Sequence, residues 1–270
     1  MIPAQFEYVA AESAVDALDL LAEYGDDAKL LAGGHSLLPM MKLRLAAPQV
    51  LIDIGGLTEL AGVSTDGDEL VVGATTRHAD LAASELARAE APLLAYAAAQ
   101  VGDPQIRHRG TIGGSLAHAD PAADLPMALV ALGGTVVLQG PEGSRSVAAD
   151  DFFQGYFETA MEPGELLVSV RVPRRPGVPW GYQKFVRRSN DWAIVGVAAV
   201  AGRIALANMG ATPLRATGAE EALAAGASAA EAAGHAADGT SPGEDIHADR
   251  EYRRHLAKVL TRRALEHQTG

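Results

Sequence analysis

The sequence predicts an α+β fold, from its hydrophobic patterning, its composition and one break along the chain. Helix-period segments and short apolar runs both occur, yet they do not alternate strictly as a βαβ chain requires. Aromatics make up only 5% of the 270 residues while glycine numbers 29, so a core of small and β-branched side chains is expected, with helices lying close to sheets. At Pro173–Pro179, three prolines, two arginines and a glycine cluster and divide the chain.

The elements follow in order. Glu12 to Tyr24 sets Ala14, Val15, Leu18, Leu21 and Ala22 at helical spacing and stops at Gly25, a C-cap residue. Lys29-Leu30-Leu31-Ala32 and Val50-Leu51-Ile52-Asp53-Ile54, each stopped by a glycine pair, fit short buried strands, with a short helix over Leu37 to Leu45 between them. Glu69 to Ala74 reads as a strand, and Ala79 to Ala99 as two Ala-rich helical pieces broken at Pro92. Asp120-Pro121 has the composition of a helix start, Asp as N-cap and Pro in the first turn, and Gly133-Gly134 closes that helix. Strands over Thr135 to Gln139 and Leu166 to Val172 lead to the break. Beyond it, Tyr182 to Val186, Ala193 to Val200 and Arg203 to Met209 fit a three-stranded antiparallel meander, followed by helical segments over Ala216 to Ala237 and Arg250 to His267. Gly226 to Gly243, rich in Ala and Gly with weak caps, is the expected mobile region. The expected domains are 1–173, with subdomains of about 1–56 and 57–173, and 174–270.

Composition excludes several function classes. The chain has no cysteine, which removes disulfides, Cys-ligated zinc, protein-held iron–sulfur clusters and thiol nucleophiles. A net charge of −12 without a basic stripe disfavours binding to nucleic acid or anionic lipid. No stretch is long and apolar enough for a membrane span, and the N-terminus lacks the pattern of a secretory signal, so a cytoplasmic protein is expected.

Two glycine loops concentrate the chemical signal: Ala32-Gly33-Gly34-His35-Ser36-Leu37-Leu38-Pro39 and Thr111-Ile112-Gly113-Gly114-Ser115-Leu116-Ala117-His118. Paired glycines let backbone N–H groups approach a ligand, and a following helix start adds unsatisfied donors, so each loop is suited to an anion. Neither is a mononucleotide signature, because the chain contains no G-x-G-x-x-G and no G-x-x-x-x-G-K-[ST]. His118, Asp120 and Asp124 have ligand-type side chains, but Pro121 favours a cap at Asp120 over a metal site. Gly113 to Ala117 misses the G-x-S-x-G elbow by its last residue. His35 and His108 read as loop residues, and Arg250, Arg253, Arg254, Arg262 and Arg263 as an ion-paired solvated face or a contact with an acidic partner.

These loops, with Met40-Met41-Lys42, Gln105-Ile106-Arg107-His108-Arg109-Gly110 and Asp120-Pro121-Ala122-Ala123-Asp124, closely resemble the FAD-binding medium subunit of molybdenum hydroxylases, with the carbon monoxide dehydrogenase type as the nearest pattern. The resemblance extends through Tyr182-Gln183-Lys184-Phe185 and Asp191-Trp192-Ala193 to Tyr252-Arg253-Arg254-His255-Leu256, nearly the whole chain.

The resemblance implies an FAD-binding domain of the vanillyl-alcohol oxidase (PCMH) type in two subdomains, then a smaller C-terminal domain with a three-stranded sheet and helices. It implies non-covalent FAD, with Ala32, Gly33, Gly34, His35, Ser36 and Leu37 and with Thr111, Gly113, Gly114 and Ser115 around the pyrophosphate and ribityl chain. Asp124 would hydrogen-bond flavin-side hydroxyls, Lys184 would lie near the isoalloxazine, and Trp192 would sit beside the ring, where the family often has Tyr. The partners implied are a large molybdenum-cofactor subunit and a small subunit with [2Fe–2S] clusters, in a dimer of heterotrimers. Electrons would pass through FAD to an external acceptor. The competing readings are a self-sufficient FAD oxidase of the same fold class and a non-catalytic assembly module.

Overall fold

The computed structural model describes residues 2–269. The first unit joins β1 (Glu7–Ala10), α1 (Ala14–Tyr24), β2 (Ala28–Leu31), α2 (Leu37–Lys42) and β3 (Val50–Asp53). Its sheet is parallel in the order β1-β3-β2. Ser13 caps α1 by accepting from the Asp16 N–H at 3.0 Å, and Gly25 ends it at φ +52°. Loop 1, residues 32–36, leaves the carboxyl end of β2 and opens α2.

The second unit is a five-stranded sheet, β4-β5-β10-β6-β7, from β4 (Val63–Asp66), β5 (Glu69–Gly73), β6 (Thr135–Gly140), β7 (Gly143–Ala148) and β10 (Leu166–Pro173), all antiparallel. Between β5 and β6 the chain inserts α3 (His78–Ala83), α4 (Glu85–Glu90), α5 (Pro92–Gln100), α6 (Pro104–Arg109), α7 (Ile112–His118) and α8 (Asp124–Leu132). Every residue of α8 is buried, as suits a helix that is apolar on all faces after its first residue, Asp124. After β7, α9 (Ala149–Phe152) leads to a small hairpin of β8 (Phe153–Gly155) and β9 (Glu158–Thr159).

The third unit is an antiparallel sheet of β11 (Trp180–Phe185), β12 (Val195–Val200), β13 (Arg203–Ala207) and β14 (Leu214–Arg215), followed by α10 (Thr217–Ala224), α11 (Ala229–Gly234) and α12 (Arg250–Glu266). The meander is as expected, but the sheet has four strands rather than three. The extra strand is two residues long, too short to show a period of two. A Cβ at Gly181 would overlap the Ala264 carbonyl, so this glycine lets α12 pack directly on β11.

Other expectations change. Asp120 is not a helix cap: its Oδ1 accepts from Ala122 N–H at 2.8 Å to close a turn, while the Pro121 carbonyl accepts from Asn208 N–H at 2.8 Å, so α8 starts at Asp124. Ala79–Ala99 holds three helices, because Ser84 ends α3 and caps α4 through the Ala87 N–H. Ala216–Ala237 splits at Gly226, φ +88°, before a capping box of Ser228 and Glu231. The segment expected to be mobile is tied to α12, where Arg254 donates to the Thr240 carbonyl at 2.8 Å and Arg250 to that of Pro242 at 3.0 Å. Arg253 is buried beneath them, donating to the Ile194 carbonyl and pairing with Asp245 at 2.7 Å. No helix among the described residues is long and apolar enough to cross a membrane.

Candidate functional site

A cleft of about 820 Å³ runs among the three units, within the size range of cofactor sites. Its wall begins at α1 and β2 with Leu21, Gly25 and Lys29, passes loop 1, crosses α7, and ends at Asp124, Lys184 and Trp192. The structure thus brings every sequence-selected residue to one surface: Ala32, Gly33, Gly34, His35, Ser36, Leu37, Thr111, Gly113, Gly114, Ser115, Asp124, Lys184 and Trp192 all line it.

The two loops contribute differently. Among the described residues, the N–H groups from Gly33 to Leu37 donate to no protein acceptor. Gly34 adopts φ +74°, the left-handed conformation that turns successive N–H groups to one side. Loop 1 therefore lines the cleft with free donors beside a partly exposed Ser36. At α7 the donors are already engaged: Ile112 N–H to Thr76 O at 3.0 Å, Gly113 to Ala74 O at 2.8 Å, Gly114 to Thr111 Oγ1 at 3.2 Å and Ser115 to Thr111 O at 3.0 Å. The expectation of spare donors fails at this second loop because Thr111 caps its own helix and the preceding turn after β5 accepts the rest. What α7 offers the cleft is the exposed backbone of Gly114 and the Ser115 hydroxyl.

The two loops are also interlocked. A Cβ at Gly33 would overlap the Arg109 carbonyl and stand 2.8 Å from Gly110 Cα, so backbone packs on backbone there. A Cβ at Gly113 would lie 2.7 Å from that of Ala74. Gly114 faces only Thr111 Oγ1, at 2.9 Å.

At the far end, Asp124 is 3% exposed and pairs with Lys184, whose Nζ lies 2.9 Å from Oδ2. The Tyr182 hydroxyl donates to Oδ1, and Lys184 also donates to the Gln100 carbonyl at 3.2 Å. Burial lifts the Asp124 carboxyl above the usual carboxylate range, while Lys184 and Tyr182 pull against it. Burial pushes the Tyr182 phenol well up, with the Asp124 charge adding to it, so it stays a neutral donor. Trp192 is 53% exposed in the β11–β12 connection, presented by the Arg188–Asp191 turn.

Sequence reasoning missed other parts of the wall. His78, 4% exposed at the start of α3, has an Nδ1 with no partner among the described residues. Burial first, and then the fields of His35 and Arg107, lower its pKa to about 4, so the ring is neutral. Arg107 braces the Val101 and Gly102 carbonyls at 3.0 Å, fixing the turn that lines the cleft between α5 and α6. Met161 to Leu167 close the opposite side. Arg107 stands within a quoted motif without an assigned role, and Tyr182 had a signal, standing two residues from Lys184 and so on the same face of a strand; no local pattern marks the others.

A family model for the FAD binding domain in molybdopterin dehydrogenase matches residues 4–175, and one for the CO dehydrogenase flavoprotein C-terminal domain matches 180–268. The chain is 45% identical to the carbon monoxide dehydrogenase medium chain of Hydrogenophaga pseudoflava, over 98% of this chain and 97% of that one. It is 39% identical to the 6-hydroxypseudooxynicotine dehydrogenase complex subunit alpha of Paenarthrobacter nicotinovorans, over 98% and 95%. The solved carbon monoxide dehydrogenase from H. pseudoflava that lacks the Mo-pyranopterin moiety superposes with a TM-score of 0.94 at 46% identity, covering 98% of each chain.

Proposed function

The chain belongs to the FAD-binding family of molybdopterin dehydrogenases, and on that premise we propose that it is the electron-transfer flavoprotein subunit of a heteromeric molybdenum hydroxylase, of the carbon monoxide dehydrogenase type. The observation that carries the reading is loop 1, a run of free N–H groups set in a cleft of cofactor size. An overall acidic protein with no lysine on that loop can hold a pyrophosphate through such donors.

FAD, when bound, supplies a centre that takes up and releases two electrons. The N–H groups of Gly33 to Leu37 would hold its pyrophosphate, Ser36 and Ser115 would add hydroxyls, and the open backbone at Gly114 would leave room for it. Asp124 and Lys184 would set the charge at the flavin end, and Trp192 would restrict access to one face. The reading divides the chain into an FAD-binding domain over 1–173 and a C-terminal domain over 174–270.

The partners in this reading are a molybdenum-cofactor subunit, which oxidises the substrate, and a [2Fe–2S] subunit, which delivers electrons. A chain without cysteine holds no such cluster itself. The acceptor is external, the complex is a dimer of heterotrimers, and the compartment is the cytoplasm. Co-expression with candidate partners tests this. Flavin absorbance in the purified complex, and weaker retention of flavin in Gly34→Val with retained assembly, are expected. A complex without flavin refutes the reading in favour of an assembly module, and turnover of an organic donor by the isolated chain refutes it in favour of an oxidase.

A further inference from the structure

The flavin end of the cleft holds a buried ion pair that cofactor binding alone does not require. Asp124 starts α8 at the cleft wall, with the Lys184 ammonium 2.9 Å from Oδ2 and the Tyr182 hydroxyl on Oδ1. Lys184 and Tyr182 come from one face of β11, and the Lys184 side chain is only 9% exposed. Among the described residues, no other side chain bonds to the Asp124 carboxyl. Tyr96 of α5 lies behind Tyr182, ring centroids 5.3 Å apart, and His118 of α7 and Asp120 of the following turn line the wall.

On the reading that FAD occupies this cleft, electrons arriving from iron–sulfur clusters come without protons, unlike a hydride. Charge left uncompensated in a water-poor site is costly, so reduction must be matched by proton uptake. We propose that Asp124 is the group that takes up the compensating proton when the cofactor is reduced, freeing Lys184 to turn its charge to the cofactor. Two electrons leave the iron–sulfur partner and two protons leave solvent; one proton is bound by the cofactor and one by Asp124 Oδ2. No other group of this chain enters the balance. When the acceptor removes both electrons, both protons return to solvent and the Asp124–Lys184 pair reforms.

Asp124 suits this task because opposing influences already act on it. Burial favours its neutral form, and Lys184 and Tyr182 favour the ionised one. Negative charge arriving nearby adds to the first. Tyr182 remains a donor throughout, because burial holds its proton in place.

The assembled complex tests the proposal through the pH dependence of its flavin potential, followed by flavin absorbance. Above neutral pH the wild type is expected to take up two protons per two electrons, a slope of about 59 mV per pH unit, and Asp124→Asn one proton, about 30 mV. The reduced-minus-oxidised infrared spectrum of the wild type should gain the C=O stretch of a protonated carboxyl, shifted in D₂O. That band needs no variant, so it decides the matter even if Asp124→Asn does not assemble. Equal slopes in flavin-loaded wild type and variant, or no carboxyl band in the flavin-loaded wild type, overturn the inference and leave the cofactor reading standing. A wild-type complex with no flavin overturns both.

Discussion

At loop 1 the N–H groups from Gly33 to Leu37 meet no protein acceptor, whereas at α7 those of Ile112 to Ser115 are all engaged, although both segments read as a glycine pair before a short helix. The glycines differ in the same way. Gly34 is needed for its positive φ, Gly33 and Gly113 for close approach to neighbouring chain, and Gly114 for open space. The lesson is that a glycine pair signals a demand on the backbone without saying which one. Loop 1 is built to bind, and the segment around α7 is built first to hold loop 1 in place and second to form a wall.

That contrast can be broken experimentally, starting where the effect is largest. Gly33→Val forces side-chain atoms into the Arg109–Gly110 backbone, neither side of which can yield, and should cost at least about 3 kcal/mol. Denaturant melting of the isolated chain measures it, and a near-wild-type midpoint would show that the loops are not interlocked. Next comes acid. With its pKa lowered to about 4 from 6.5, His78 favours the fold fully above pH 6.5. As pH falls from 6.5 to about 4 the unfolded chain gains a proton that the native one refuses, and stability on the order of 3 kcal/mol is lost. His78→Gln should flatten that part of the pH profile.

Smaller effects separate binding from support. Gly34→Val must hold a β-branched residue at φ +74° and realign the free donors, so flavin affinity should fall about 30-fold, or ~2 kcal/mol. Isothermal titration of the complex with FAD would show it. Thr111→Val removes the cap on the Gly114 N–H, and a loss of about 1 kcal/mol of stability with flavin affinity within a few-fold of wild type is expected. If Thr111→Val weakened flavin more than Gly34→Val, the assignment of the two loops would be reversed.

Much of this was legible in the sequence. The strands β2, β3, β5, β6 and β10 to β13 were readable from their apolar runs, and β1, β4, β7, β8, β9 and β14 were not, being short or largely exposed and lacking an apolar pattern. Asp120-Pro121 had the right composition for a cap and was captured instead by a turn and by Asn208, a partner from the distant third unit. The residues lining the cleft were readable because their motif is long and specific, but their hydrogen-bond states were not. Lys184 alone reads as a solvated charge on a strand, and only folding brings it against Asp124, an acid sixty residues earlier in the chain.

The sequence by itself determined the α+β class, the two glycine loops, the family resemblance, and the absence of any cysteine for a cluster of its own. Those are properties of residue type and spacing, which survive without knowledge of the fold. Tertiary structure alone decided which loop has free donors, where the buried acid finds its counter-charge, and why His78 is neutral. Each of these depends on desolvation and on partners from other elements, and neither is a property of local sequence.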